Sequence, residues 1–493
     1  VRTATVIGLT TDRRPIRAYA DGGHSDYRTD KTRVLLLGPE GWDAAPLLAW
    51  FDTAAGLRER IALSAVADPA PLASYPPQGE AYAAAPEAHC LWRWIGLQAP
   101  DLVVAVRTGA RDDGLAARLP HAAAAGVGAI PVVAVAALNA ETLAPLLAEW
   151  RGGHSPARAE MWRRLAREPH EIARLLSAKY ATALEQPVYI PAMALLCRLR
   201  LGDTAAVEAI VAPYVDGRKS ALANLTSSHF AGHLLFGALA RATGKRAYLD
   251  LARAAADLAF DNGEPLEAMP LHDEMSDSLF LVCPLLAQVG ALTGERRYAD
   301  MCVRHMRHMR RLTLRADALH RHSPLSDTAW GRGNGFAALG LLFSLEYLPR
   351  GHEAWPAVLK DFQAHMAALL AHQDASGMWR QVIDLPGSFP ELSATCMIAA
   401  ALARGVRRGW LPSGAHGDAL ARAWYGIRMR VSAEGELVDV CAGTGKQTSL
   451  QAYIGRPALL GADPRGGAMA LLAATELMGV EKEGEKGVRF GIF

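Results

Sequence analysis

Hydrophobic and polar positions follow two different rhythms along this chain. Up to about residue 150, short unbroken apolar runs recur at 4–8, 33–37, 61–66, 102–106 and 130–135. Segments with helical spacing, 44–57 and 86–97, lie between them. Pro86 suits the first position of the second helix, where a missing N–H loses no partner. Short buried strands alternating with helices predict an N-terminal α/β domain over residues 1–150 with a largely parallel sheet. Arg151-Gly-Gly-His-Ser-Pro156 interrupts the pattern and marks the boundary. Residues 151–184 then read as a helical linker, with one charged amphipathic helix over 157–180.

From Val188 onward the strand signals vanish. Apolar residues recur at i, i+3 and i+4 through 188–201, 204–214, 229–243, 247–260, 277–292, 296–312, 333–347, 354–372, 391–408, 417–430 and 467–479. The turn Ala242-Thr-Gly-Lys-Arg-Ala-Tyr248 recurs as Leu292-Thr-Gly-Glu-Arg-Arg-Tyr298, each time between an apolar helix and a more polar one. Repeated hairpins with one apolar and one amphipathic member predict an all-α (α/α)6 barrel over residues 185–493, with an open solenoid as the alternative. The fold class is therefore multidomain.

Composition changes this picture little. A net charge of +2 over 493 residues, without a Lys/Arg block, gives no support for a nucleic acid or anionic membrane partner. The longest apolar run, 122–138, contains Gly126, Gly128 and Pro131 and is too short to span a bilayer comfortably. The chain opens at Val1 without a leader-like start, as if a leader or tag had been trimmed. Cys90, Cys197, Cys283, Cys302, Cys396 and Cys441 are scattered without a CxxC. That suits buried free thiols in a reducing compartment, and the cytoplasm is the expected location. Oligomeric state is not legible.

The candidate chemistry gathers just ahead of helix starts. Trp330-Gly-Arg-Gly-Asn-Gly-Phe336 reads as a glycine-rich turn before an apolar helix, where backbone must approach something closely or take a positive φ. Arg332 is held within it, beside aromatics. Asp277 heads another apolar run; its plain reading is an N-cap, although Asp273 and Glu274 nearby could crowd it. His229, His233, His272, His320 and His322 fall near the same mouth, whereas His305 and His308 read as solvent-facing on an outer helix. No HExxH is present, and His229/His233 lack an evident third ligand, so no metal and no cofactor are expected. Trp379, Trp410 and Tyr453 are further loop-proximal aromatics. Cys441-Ala-Gly-Thr-Gly445 lacks P-loop spacing and shows no strand–loop–helix context.

The order Asp277-Ser-Leu-Phe280, Trp330–Phe336, Gly377-Met-Trp-Arg-Gln-Val-Ile-Asp384, Glu391-Leu-Ser393, Cys441–Gly445 and Gly455-Arg-Pro457 resembles the unsaturated glucuronyl and rhamnogalacturonyl hydrolases over roughly 185–480. The resemblance implies an (α/α)6 barrel acting on the 4,5-unsaturated uronic acid that polysaccharide lyases leave at chain ends, and hence an acidic oligosaccharide as partner. It implies Asp277 as general acid/base, with Arg332, Trp330, Phe336 and His322 lining the subsite and His272 as a further pocket residue. The family's second pocket Asp falls in Leu225-Thr-Ser-Ser-His229, where Ser227 or Ser228 stands beside His229. Met275 and Phe336 replace family aromatics. A hydrolase of a saturated uronide, a non-catalytic uronide-binding barrel, or another (α/α)6 enzyme such as an isomerase or lyase are the alternatives. More weakly, Ile7–Ile16 followed by Val34–Asp43 resembles the start of a zinc carboxypeptidase domain. Glu40 and Asp43 stand there without a His, which implies a degenerate, non-catalytic module.

Overall fold

The computed structural model describes residues 3–21, 26–80, 82, 84–107 and 112–484; the expected outer domain limits, 1 and 493, lie outside these. The N-terminal region is a six-stranded sheet: β1 (Thr3–Leu9), β2 (Pro15–Ala20), β3 (Thr32–Gly38), β4 (Ile61–Ala67), β5 (Leu102–Val106) and β6 (Val132–Val135). The spatial order is β1-β2-β4-β3-β5-β6. The last four in that order are parallel, and β1 and β2 join antiparallel, so the sheet is mixed. The unbroken apolar runs follow from cover on both faces. Val34 and Leu36 pack with Leu47, Phe51 and Leu143 on one side. Leu35 and Leu37 pack with Leu91, Ile95 and Met161 on the other.

The expected single helix over 157–180 is two, Pro156–Ala166 and Pro169–Tyr180. Pro169 disfavours helical backbone at the residue before it, and Glu168 and Glu171 form a capping box that restarts the helix. The two halves do different work. Met161 and Leu165 pack under the sheet, whereas Ile172, Ala173 and Leu176 belong to the helical core that follows.

In that core, six helices touch in succession: Tyr189–Arg200, Leu234–Thr243, Cys283–Thr293, Gly331–Tyr347, Leu392–Arg407 and Pro464–Gly484, the last returning to the first. Helices between them, Arg246–Ala256, Arg296–Thr313, Trp355–Leu370 and Ser413–Met429, together with Pro169–Tyr180, pack against its members. The helix expected at 277–292 is broken at Val282. Pro284 cannot donate to the carbonyl four residues earlier, so Ser278–Leu281 stands apart as a single turn. Strands also occur where none were expected: β7 (Phe260–Asp261) with β8 (Glu264–Pro265), and β9 (Leu437–Cys441) with β10 (Ala458–Gly461). Among the described residues no helix is long and apolar enough to cross a membrane. All six cysteines are buried and free.

The two parts are joined by buried polar contacts. Arg93, on helix Pro86–Gln98, meets Asp439 of β9 through its Nε at 2.8 Å, and Arg430 meets the other carboxylate oxygen at 3.0 Å. Tyr82 stacks on Phe389 at 4.8 Å. Gly387, at φ +98°, lies where a side chain would strike Leu9 and Val6 of β1.

A buried cluster closes the helical circuit. Glu476 of the last helix is bonded by Arg404, by Arg200 at 2.7 Å and by Arg407 at 2.9 Å. Burial alone would raise its carboxyl pKa, but the three guanidinium groups outweigh that and hold it well below the ordinary 4.5. A depressed folded-state pKa contributes stability that is present above 4.5 and lost as pH falls through the folded value. Glu476→Gln is expected to cost about 3–5 kcal/mol in urea unfolding at neutral pH. The gap to wild type should narrow as the pH is lowered below 4.5.

Candidate active site

Asp277 occupies the N-cap position of Ser278–Leu281, yet it does not cap. Its backbone is already helical (φ −53°, ψ −33°), and its side chain makes no bond to the turn's amides. The carboxylate points elsewhere. Its Oδ1 lies 3.3 Å from Nε2 of His322, and neither buried atom has a hydrogen-bond partner. Ser276 Oγ is likewise buried and unpaired. The approach to Asp277 is conformationally costly: Leu271, Asp273 and Glu274 all hold φ between +50° and +62° without being glycine. The expected crowding by neighbouring carboxylates is not seen, because Asp273 and Glu274 are exposed and Glu274 faces Lys446 at 3.8 Å.

His322 is held along its whole length. Its N–H donates to Thr328 O at 3.1 Å, and its carbonyl accepts from Ser276 N at 2.8 Å. Its ring lies 4.4 Å from that of Trp330, and Nδ1 is 2.8 Å from the Tyr453 hydroxyl.

The segment Trp330–Phe336 is not a turn. A helix begins at Gly331, and none of Gly331, Gly333 and Gly335 has a positive φ. The glycines serve close approach instead. A Cβ on Gly331 would sit 2.3 Å from Arg380 O, one on Gly333 2.7 Å from Ser276 Oγ, and one on Gly335 2.8 Å from Met397 Sδ. Asn334 clamps the preceding loop: Oδ1 accepts from His320 N, and Nδ2 donates to the carbonyls of His320 and Trp330, all at 2.9 Å. Arg332 is buried on the Trp330 ring at 4.4 Å. It donates to the carbonyls of Cys441 at 2.7 Å and Ala442 at 2.8 Å and stands 3.9 Å from Glu391. Its guanidinium therefore ties the end of β9 to the helix start. The 441–445 turn does have a strand before it and a short helix, Leu450–Ile454, after it, contrary to the sequence expectation.

Other expected residues are distributed around this centre. Phe336 stacks on Phe280 at 5.7 Å and meets Tyr189 edge-on at 5.4 Å. Ser227, Ser228 and His229 lie on Ser227–Gly232, which packs against the Asp277 turn. Ser228 Oγ accepts from Tyr189 N, while Nδ1 of His229 accepts from Thr226 N and leaves a buried, unpaired Nε2. His272 stands apart, with its ring 5.2 Å from His308 beside a side pocket of residues 266–273. His305, expected to face solvent, is fully buried. It falls on the same stripe as Met301 and Met309, accepts from Met269 N, and contacts Ser278 Oγ at 2.8 Å. Burial pushes its imidazole down to about 3, so it stays neutral beneath the Asp277 turn. Glu391, Tyr189, Ser276 and Tyr453 complete the surroundings. Glu391 was quoted only as part of a motif and Tyr453 only as a loop-proximal aromatic, and nothing in the spacing marked Tyr189 or Ser276. In the N-terminal region, Glu40 and Asp43 are exposed after β3, and Asp43 accepts from Ala45 N. A cavity of about 1670 Å³ lies not at Asp277 but between the sheet and the helical part, lined by Tyr27, Tyr82, Trp94, Trp424 and Arg380.

The description Glycosyl Hydrolase Family 88 matches residues 206–480. An unsaturated rhamnogalacturonyl hydrolase, YesR of Bacillus subtilis, is 30% identical over 129 residues, covering 26% of this chain and 36% of that protein. An unsaturated 3S-rhamnoglycuronyl hydrolase of Alteromonas sp. is 31% identical over 110 residues, covering 22% and 27%. The chain thus spans about a third of the length of these curated relatives. A family 105 glycoside hydrolase structure from C. acetobutylicum superposes with a TM-score of 0.55 at 22% identity, covering 63% of this chain and 99% of that one. A polysaccharide lyase structure superposes with a TM-score of 0.54 at 15% identity, covering 64% and 98%. At these identities the likeness is one of fold.

Gly331→Ala tests whether close approach is what the glycines provide. Its new methyl would meet the backbone carbonyl of Arg380, which cannot rotate away. A loss of about 1–3 kcal/mol is expected in chemical denaturation. Unchanged stability would mean that the two segments are not in contact.

Proposed function

The chain belongs to glycosyl hydrolase family 88, and from that premise we propose that it removes a terminal 4,5-unsaturated uronic acid from lyase-generated oligosaccharides. In this reading the closed circuit of helices and its outer shell form an (α/α)6 barrel, with Asp277 at the mouth. The observation that carries it is the carboxylate itself: buried at a helix start, not used as a cap, and facing His322 without a hydrogen bond. A structural aspartate at that position would bond the free amides of its turn.

The chemistry needs only one carboxyl group in acid and base roles, unlike glycosidases that place two across the scissile bond. Protonated Asp277 gives its proton to C4 of the vinyl ether, and positive charge develops at C5, shared with the ring oxygen. Water adds at C5 and returns a proton to the Asp277 carboxylate. The resulting hemiketal opens as C5–O5 breaks, its C5 hydroxyl becoming a ketone and the ring oxygen, taking that proton, a hydroxyl on C1. The C1 hemiacetal then collapses to an aldehyde as its C1–O bond to the leaving sugar breaks, the hydroxyl proton passing to the departing oxygen. Aromatic faces such as Trp330 suit a flattened uronide ring, and the unpaired Nε2 of His229 and Oγ of Ser276 offer polar contacts to its substituents. Arg332 acts here through the wall it fixes, since its Nη atoms are engaged by protein carbonyls. The reading keeps the cytoplasm as the place of action, on the six free buried thiols. It takes the N-terminal domain as a non-catalytic support.

The test is the ultraviolet absorbance of the C4=C5 chromophore during incubation with unsaturated glucuronyl and galacturonyl disaccharides. Absorbance should fall with wild type. Asp277→Asn should lower kcat by about 10²–10⁴-fold with the fold retained. Wild-type turnover in that variant would remove Asp277 from the mechanism. A flat trace with wild type would favour a saturated-uronide hydrolase or a binding barrel, and a rising trace on intact polymer would favour a lyase.

A further inference from the structure

We propose that Tyr453 is a positioning residue that holds His322 as the tautomer protonated on Nε2, so that a fixed N–H faces Oδ1 of Asp277. The inference rests on the reading of Asp277 as the acid/base and assigns the group that orients it. Three residues from distant parts of the chain form one line: Tyr453 Oη to His322 Nδ1 at 2.8 Å, then His322 Nε2 to Asp277 Oδ1 at 3.3 Å. Tyr453 and His322 are fully buried, and Asp277 nearly so.

The direction of the first bond follows from counting donors. The Gln447 amide N–H can only donate, and it points at Tyr453 Oη from 3.2 Å. A phenol oxygen accepts two hydrogen bonds and donates one. With the Gln447 amide facing a lone pair of this oxygen, the phenol proton is directed to His322 Nδ1, its acceptor neighbour. Nδ1 is then the acceptor nitrogen, and the neutral imidazole carries its proton on Nε2. The opposite tautomer would aim two donors at one oxygen and leave the phenol proton without a target. Burial pushes the phenol up to about 12, so the hydroxyl keeps its proton at neutral pH.

The consequence falls on the carboxylate. An N–H aimed at Oδ1 leaves Oδ2 as the oxygen that carries the reacting proton. The separation of 3.3 Å is long for a hydrogen bond, and such contacts commonly shorten when substrate fills a site. Tyr453 is itself fixed from behind. Gln381 Nε2 donates to its carbonyl at 2.5 Å, and Ser449 caps its short helix. Its ring lies 5.5 Å from that of His322, edge to face, so the imidazole cannot flip without displacing it.

The test is nitrogen NMR on the full chain labelled with 15N-histidine, with the His322 signals assigned by their absence from His322→Gln. In wild type at neutral pH, Nδ1 should be unprotonated and Nε2 protonated. Tyr453→Phe should move both signals toward a tautomer mixture and lower kcat about 10–100-fold, as loss of an orienting partner does. KM should stay within about twofold, since ground-state binding is untouched. A protonated Nδ1 in wild type, ring signals unchanged by Tyr453→Phe, or an unchanged kcat in that variant would each overturn the proposal. The spectral readout needs no turnover, so it decides the tautomer even if the unsaturated-uronide activity fails.

Discussion

A buried guanidinium must be neutralised where it lies, and Arg332 organises the helical domain on those terms. Its positive charge is taken up by the Cys441 and Ala442 carbonyls, by Glu391 nearby and by the Trp330 ring face. Those groups come from three separated segments. Glu391 caps the Leu392–Arg407 helix through Ser393 N and Ala394 N while also accepting from Cys441 N at 2.9 Å. One ionic contact thus sets the end of β9, the start of two helices, and the wall beside Asp277. Leaving a group of this kind unpaired in a low-dielectric interior costs several kcal/mol, which is why the arrangement admits little slack.

The glycines extend the same constraint. With no side chains at Gly331 and Gly333, the first turn of its helix comes into contact with the backbone at Arg380 and the hydroxyl of Ser276. The aromatic, imidazole and carboxylate groups are thereby brought together by backbone proximity, with Asn334 holding the loop that carries His322.

Much of this was legible in the sequence. The helices after residue 188 declare themselves by apolar spacing, and most observed ends fall within a few residues of the expected ones. The strands β3, β4, β5 and β6 are dense apolar runs because both faces are covered. β2 escaped because only Ile16 and Ala18 of its six residues are fully buried, giving too short an alternation to stand out. β9 escaped because Asp439 interrupts it, and its charge is tolerated only through Arg93 and Arg430, which spacing does not reveal. His305 was misplaced by its charged neighbours, although its four-residue distance from Met301 and Met309 puts it on the buried stripe. Asp277, His322 and Trp330 were singled out before their contacts were known. Tyr453 was named only as a loop-proximal aromatic, because its contact with a ring 131 residues away leaves no mark in the spacing.

The bond between Arg93 and Asp439 spans 346 residues of sequence. Protein synthesis proceeds from the N-terminus, so the sheet domain is made with an interior arginine whose counter-charge does not yet exist. At about 5–20 residues per second the interval lasts roughly 20–70 s. During that time Arg93 and the apolar residues beside it that will meet Met429 and Val438 must stay hydrated or be shielded. The N-terminal third is thus born before its partner and completed by it, and the last third of the chain acts on the first as a template acts on a waiting surface.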